Sequence, residues 1–321
     1  MTSGPDGSRA HHGDAPHAAV LYDSGDDLRG RVLPYLRAGI GNREDVVVIV
    51  SRPAEQALRA GLGPHAAGIR WSVPGMSYGH LGRASEAMRA FLGRHRSAGT
   101  RTRLLTENDV NGHPGRTAAY LRAEAAANDL YGEFGFPWAC LYDRRRHPAE
   151  VLDHVTLVHP LLVGSGGRAA GNAAYVRPDA YLAAHPGPLS PVPEPPVLDT
   201  ELADLGALSD ARHQVAAAAL ALGLGSEECC RAEVAAGELI ANTFQHGVVP
   251  CRVRVWDDLR SVFVRVDDHG EGAAVTTAGF RPPDPRRGSG AGLWVARQFS
   301  DIVQVGVGPA GTSVELQFPL T

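Results

Sequence analysis

The stretch GELIANTFQH, residues 237–246, sets Glu238, Asn242 and His246 at intervals of four within mostly apolar surroundings. A helix advances about 100° per residue, so positions four apart drift by only about 40° and the three polar side chains share one stripe. Such a stripe is either a solvated face or the wall of a pocket. Val234, Ala235, Leu239, Ile240, Ala241 and Phe244 make the rest of the helix largely apolar, and a helix this apolar is mostly covered. The stripe is therefore expected to face a pocket. What covers the helix follows directly: CRVRVWD (251–257) and SVFVRVDD (261–268) read as two strands joined by a tight turn around 258–260. A helix is expected over roughly 200–222, another from about Gly292 to Phe299, and two last strands in IVQVGVG and TSVELQFPL. Helices on one face of a mostly antiparallel sheet make an α+β sandwich, whose other sheet face is exposed or covered by a partner.

Upstream, AAHPGPLSPVPEPPVLD (183–199) carries Pro186, Pro188, Pro191, Pro193, Pro195 and Pro196, which exclude helix interior and central strand. It reads as a semi-rigid, extended linker over 184–198. A chain of 321 residues exceeds one comfortable core, so two domains are expected, at 14–183 and 199–321. In the first, the apolar runs HAAVLYD, DVVVIVS, RLLTE and WACLYD alternate with the helical patterns DDLRGRVLPYLRAGI, AEQALRAGL, LGRASEAMRAFLGRHRSAG and TAAYLRAEAAANDLY. That alternation indicates a parallel sheet covered on both faces. It contains neither a Walker-type phosphate loop nor a dinucleotide fingerprint.

Composition narrows the partners. A net charge of -4 gives no electrostatic reason to expect nucleic acid or an anionic membrane, and the basic clusters at Arg144–Arg146 and Arg286–Arg287 are short. No apolar run, the short VVVIV at 46–50 included, approaches the roughly 20 residues of a membrane span, and the N-terminus lacks a signal-peptide core. A cytoplasmic protein is expected. Cys140, Cys229, Cys230 and Cys251 lack metal-ligand spacing and read as small buried hydrophobes. The histidines show no pattern such as His-Glu-x-x-His, so no zinc site is expected. His17, Tyr22, Glu107 and His113 fall at or near strand ends, where α/β folds place ligands, but a structural or surface role is the plainer reading.

Three further pieces converge with the stripe. DDHGEG sets Asp268, Gly270 and Gly272 as Asp-x-Gly-x-Gly at a strand end. RRGSGAGLW spaces Gly288, Gly290 and Gly292 by two before a helix, and Gly311-Thr312 precedes the last strand. A carboxylate at a strand end accepts from an exocyclic amino group such as that of adenine. Glycines beside it let the backbone approach a planar base. Free N–H groups at a helix N-terminus favour a polyphosphate. The Asn242 oxygen is a hard ligand suited to Mg²⁺. Glu238, one turn away, is placed to take a proton from an attacking hydroxyl. His246 either contacts phosphate or complements the helix dipole at its C-terminus.

Glu238-x-x-x-Asn242, Asp268-x-Gly270-x-Gly272, Gly288-x-Gly290-x-Gly292 and Gly311-Thr312 resemble the N, G1, G2 and G3 boxes of the GHKL ATP-binding superfamily. Within it, Glu at the first N-box position and the short layout are most similar to bacterial anti-sigma serine kinases. The resemblance implies a Bergerat-type sandwich that binds ATP and Mg²⁺, phosphorylates serine on an antagonist protein and holds a sigma factor inactive, often as a dimer. HAAVLYDSGDDLRGRVLPYLRAGIGNREDVVVIVSRP and FPWACLYDRRRHPAEVLDHVTLVHPLLV resemble the MEDS sensory domain, which implies a RecA-like fold and an unidentified small-molecule or protein signal. Two rivals remain. A non-catalytic, ATP-dependent binding module would carry the same boxes. A sensor histidine kinase would need a helical hairpin upstream, where only His185 and His213 are available.

Overall fold

A computed structural model of the chain describes residues 17–73, 81–107, 114–270, 279–283, 291–308 and 310–320. The first sheet runs β3-β2-β4-β5-β1-β6-β7, from β1 (His17–Tyr22), β2 (Asp45–Ile49), β3 (Ile69–Trp71), β4 (Thr102–Glu107), β5 (Trp138–Asp143), β6 (Leu161–Val163) and β7 (Ala169–Gly171). All of its pairings are parallel except β6 with β7. Side chains alternate between two cores. Ala18, Val20, Val46, Val48 and Leu141 meet α1 (Gly25–Gly41) and α2 (Arg52–Leu62) on one face. Ala19, Val47, Leu104, Cys140 and Tyr142 meet α3 (Leu81–Ser97), α4 (Pro114–Tyr131) and α5 (Ala149–Val158) on the other. Burial on both faces is why these strands are continuously apolar. α1 begins where Ser24 accepts from Asp27 N–H at 3.1 Å, with Asp26 and Asp27 facing the positive end of the helix dipole. A short α6 (Pro178–Ala184) closes this unit.

The second sheet is antiparallel throughout, in the order β11-β12-β10-β9-β8. Its strands are β8 (Leu198–Leu202), β9 (Cys251–Asp257), β10 (Ser261–Asp268), β11 (Ile302–Gly308) and β12 (Gly311–Pro319). On one face Val253, Val255, Val264, Val266 and Leu316 pack beneath α7 (Leu208–Ala221), α8 (Ser226–His246) and α9 (Ala291–Phe299). The chain thus has the expected class: a mostly parallel α/β sheet, then an antiparallel sheet with helices on one face. Among the described residues no helix is long and apolar enough to cross a membrane.

One expectation is corrected. The helix expected from about 200 starts at Leu208, because Leu198–Leu202 instead pairs with β9 as an edge strand held by Arg252 on Asp199, 2.6 and 2.7 Å. Asp204 then caps a short turn, accepting from Gly206 N–H at 2.8 Å. The proline-rich segment, expected as a semi-rigid, extended linker, is also held against the second sheet. Ser190 donates to Glu315 from its hydroxyl at 2.8 Å, and Arg265 reaches both Glu315 and the Ser190 carbonyl. Leu189 presses on Gly306, where a Cβ would come within 2.7 Å of it. The segment straps the outer face of the second sheet.

The two units also touch directly. Arg116 at the start of α4 pairs with Asp301. Gln304 donates to the Gly115 carbonyl at 2.8 Å. Gly82 in α3 lies so close to α9 that a Cβ would meet the Arg297 carbonyl oxygen at 1.7 Å.

Candidate functional site

α8 carries the stripe. Ala232, Ala235, Ala236, Leu239, Ile240 and Thr243 are buried against the sheet, Glu238 and Asn242 are half-buried, and His246 is exposed in the last turn. The stripe thus rises out of cover toward its C-terminus. Gly247 ends the helix, its N–H donating to the Thr243 carbonyl at 2.8 Å.

α9 crosses α8 at Asn242. A Cβ on Gly292 would lie 2.1 Å from Asn242 Nδ2 and 2.7 Å from Oδ1, so only glycine allows this approach. At the end of β10, Asp268 is half-buried and pairs in register with Thr312 of β12. Its Oδ1 accepts from the Gly270 N–H at 2.7 Å. Two glycines close around it: a Cβ on Gly247 would meet the carboxylate at 3.0 Å, and one on Gly311, whose φ is +125°, would meet the Asp268 carbonyl oxygen at 1.8 Å. Burial pushes the thiol of nearby Cys251 up to about 11, and the Asp268 charge adds to it.

The end of α8, the end of β10, the start of β12 and the start of α9 therefore meet, bringing together Asn242, Asp268, Gly270, Gly292 and Thr312. Glu238 sits one turn back along α8, and His246 stands out in solvent. Gly272, Gly288, Gly290, Arg286, Arg287 and His113 lie outside the described residues. Chemically, this meeting point offers a carboxamide and a carboxylate, both half-buried and each set against glycine. It can accept hydrogen bonds through Asp268 Oδ2, which has no hydrogen-bond partner among the described residues, and offer an oxygen to a hard cation. A nucleotide and Mg²⁺ suit that donor set and those Cβ-free neighbours.

In the first domain, Tyr22 donates to Glu107 Oε1 at 3.1 Å and Ser51 N–H donates to Glu107 Oε2 at 2.8 Å, tying three strand ends together. Burial, reinforced by the Glu107 charge, holds the Tyr22 phenol protonated well above its ordinary value. Arg145 forks onto Asp143, 2.9 and 2.6 Å, as a turn clamp. Cys140, Cys229 and Cys251 are buried as expected, but Cys230 is exposed. His17 is wholly buried and lies beside Glu124, Cys140 and His159, a grouping that sequence reading missed. Its one sequence signal is a histidine opening an otherwise apolar strand.

Comparisons with known proteins follow the two sheets. Residues 16–160 match the family model of the MEDS domain, the methanogen/methylotroph, DcmR sensory domain. Residues 202–318 match that of the histidine kinase-like ATPase domain. No curated protein sequence matches the chain significantly. Among solved structures, the RsbU and RsbW domains of Rv1364c from Mycobacterium tuberculosis match at 16% identity and a TM-score of 0.28, over 44% of this chain and 40% of that one.

Proposed function

We propose that this chain is an ATP-binding anti-sigma regulator, a serine kinase acting on an antagonist protein in a partner-switching pathway and gated by its N-terminal domain. One observation carries the reading: Asn242 and Asp268, each set closely against glycine, stand where α8, α9 and β10 meet within the segment that matches a histidine kinase-like ATPase domain. In this reading Asp268 accepts from the adenine amino group through Oδ2, since Oδ1 is held by Gly270 N–H. Gly270 and Gly272 make room for the base. Asn242 offers its oxygen to Mg²⁺, Gly288, Gly290 and Gly292 present N–H groups to phosphates at the head of α9, and Thr312 and His246 contact the nucleotide from the rim. Bound ATP would supply the phosphoryl group. Glu238 is the base that takes the proton of an attacking serine hydroxyl.

The MEDS match supports a sensory role for the first domain, and the contacts of α3 and α4 with α9 and β11 supply a route for gating. A sensor histidine kinase is the weaker reading. β8, one short turn and α7 occupy the interval between the proline-rich strap and α8.

The test is incubation of the full chain with labelled ATP·Mg and small antagonist-like proteins encoded nearby. Label on serine is the expected result. ATP bound without transfer to any candidate would reduce the protein to an ATP-dependent binding module, and no ATP bound would remove the reading.

A further inference from the structure

Four side chains from separate elements meet inside the first domain. His17 opens β1, Glu124 lies within α4, Cys140 is in β5 and His159 follows α5, and all four are buried. One ligand atom from each lies within 4.8 Å of all the others. His17 Nε2 and His159 Nε2 each stand 3.3 Å from Glu124 Oε1, and His17 Nε2 is 3.2 Å from Cys140 Sγ.

The surrounding hydrogen bonds fix the proton positions. Asn128 Nδ2 donates to the carbonyls of Ala125 and Val158, 3.1 and 2.9 Å, so its Oδ1, 3.1 Å from His17 Nδ1, can only accept. His159 Nδ1 faces the Val155 carbonyl at 2.8 Å. Both rings therefore carry a proton on Nδ1, and a neutral ring points its Nε2 lone pair inward. Among the described residues the buried His159 Nε2 meets hydrogen-bond geometry with no partner, and its polar neighbour is Glu124 Oε1, 3.3 Å away. Thr106 Oγ1 accepts from Trp138 Nε1 at 2.8 Å and has its own proton to give to Cys140 Sγ, 3.2 Å away. Tyr120 and Tyr142 donate to the two oxygens of Glu124 at 2.8 and 3.2 Å. The outer bonds all leave lone pairs aimed at one centre.

Lone pairs converging in a dry interior are costly unless a cation sits among them. Protonating both rings would bury two like charges with ring centroids 4.2 Å apart beside one carboxylate. A metal ion resolves the conflict at once. We propose that His17, Glu124, Cys140 and His159 bind one divalent transition-metal ion, zinc by donor chemistry. Two imidazoles, a thiolate and a carboxylate suit zinc and not the all-oxygen preferences of Mg²⁺ or Ca²⁺. Bonds of about 2.0–2.3 Å in a tetrahedron place ligand atoms roughly 3.3–3.7 Å apart, close to the separations above. A ring whose second nitrogen donates to a carbonyl is the usual outer support of a metal-bound histidine. The expectation of no zinc site came from local spacing, and these ligands come from four elements. A cavity lined by Leu81, Met88, Tyr120, Glu124, Tyr131 and Trp138 reaches the carboxylate, giving the side from which an ion or a small polar ligand approaches.

The test uses the full chain without an affinity tag, purified with Zn²⁺ and analysed by elemental mass spectrometry after gel filtration. About one zinc per chain is expected, as for a structural site. Replacing the ion with Co²⁺ should give a thiolate-to-cobalt charge-transfer band that Cys140→Ser abolishes. His159→Gln should lose the ion, and Asn128→Ala, which touches no metal, should weaken its affinity about 10- to 100-fold. A folded wild-type chain that retains neither ion overturns the proposal even if no variant folds. So does a cobalt spectrum that Cys140→Ser leaves unchanged.

Discussion

Asn242 lies against Gly292 with no room for a single carbon between them: a Cβ at 292 would fall 2.1 Å from its amide nitrogen. The contact joins the last turns of α8 to the head of α9 and sets where the carboxamide can point. Gly292→Ala should therefore displace Asn242, cost about 1–3 kcal/mol of stability and weaken ATP·Mg binding. Gly308→Ala, where a Cβ would meet nothing within 4 Å, is the control. Calorimetry on both, with Asn242→Ala and Asp268→Ala beside them, decides the matter. Wild-type affinity in all three site variants would remove the nucleotide site from this meeting point.

Glu238 stands one turn from Asn242 on α8, half-buried. As the proposed base acting on an attacking hydroxyl, it would contribute little to holding the nucleotide. Glu238→Ala should keep ATP affinity within a few-fold and lower phosphoryl transfer by roughly 10² or more. Transfer at a near wild-type rate would place the base elsewhere.

The Arg116–Asp301 pair between the two units carries a pH signature. Burial raises the Asp301 pKa, and Arg116 works against that rise. A raised carboxylate binds its proton more readily in the folded state, so its penalty is absent below the unfolded value of about 3.9 and grows as pH climbs through the folded value. Arg116→Ala should lift that folded value further. Its stability deficit, about 1–3 kcal/mol at pH 7, should shrink on acidification. Denaturant melts across pH would show this. A deficit that is constant or larger in acid contradicts it.

The legible parts of the sequence were those governed by local rules. Val262, Val264 and Val266 alternate with residues of the other face, so β10 and its partner strand announce themselves, and Asp268 and Gly270 mark where it ends. Leu198–Leu202 was hidden because its strand character comes from pairing with Arg252 and its neighbours, not from its own pattern. The proline-rich strap showed that it must be extended but not that Ser190 would reach Glu315. The His17, Glu124, Cys140 and His159 grouping was invisible for the same reason: only the order β5-β1-β6 and the packing of α4 bring these residues together.

The final prediction concerns gating. Gly82 touches the backbone of α9, the helix whose first turn rests on Asn242, and a cavity between the two units is lined by Gly82, Ser85, Tyr131, Phe280 and Arg297. Arg297 is half-buried there, and desolvation, with repulsion from Arg122, drops its pKa to about 9. A small displacement of α3 would thus be felt along a rigid nine-residue helix leading to Asn242. Gly82→Ala places a methyl group where the Arg297 carbonyl oxygen now sits, wedging the units apart without touching any residue of the candidate site. The first domain should stay folded, since position 82 lies in the opening turn of α3 and contributes nothing to its core. We expect a change in ATP or antagonist affinity equivalent to about 1–3 kcal/mol, the size of ordinary regulatory coupling. Faster amide exchange along α9 should accompany it. Wild-type affinities together with wild-type exchange in α9 would show that the contact is passive and remove this route of gating.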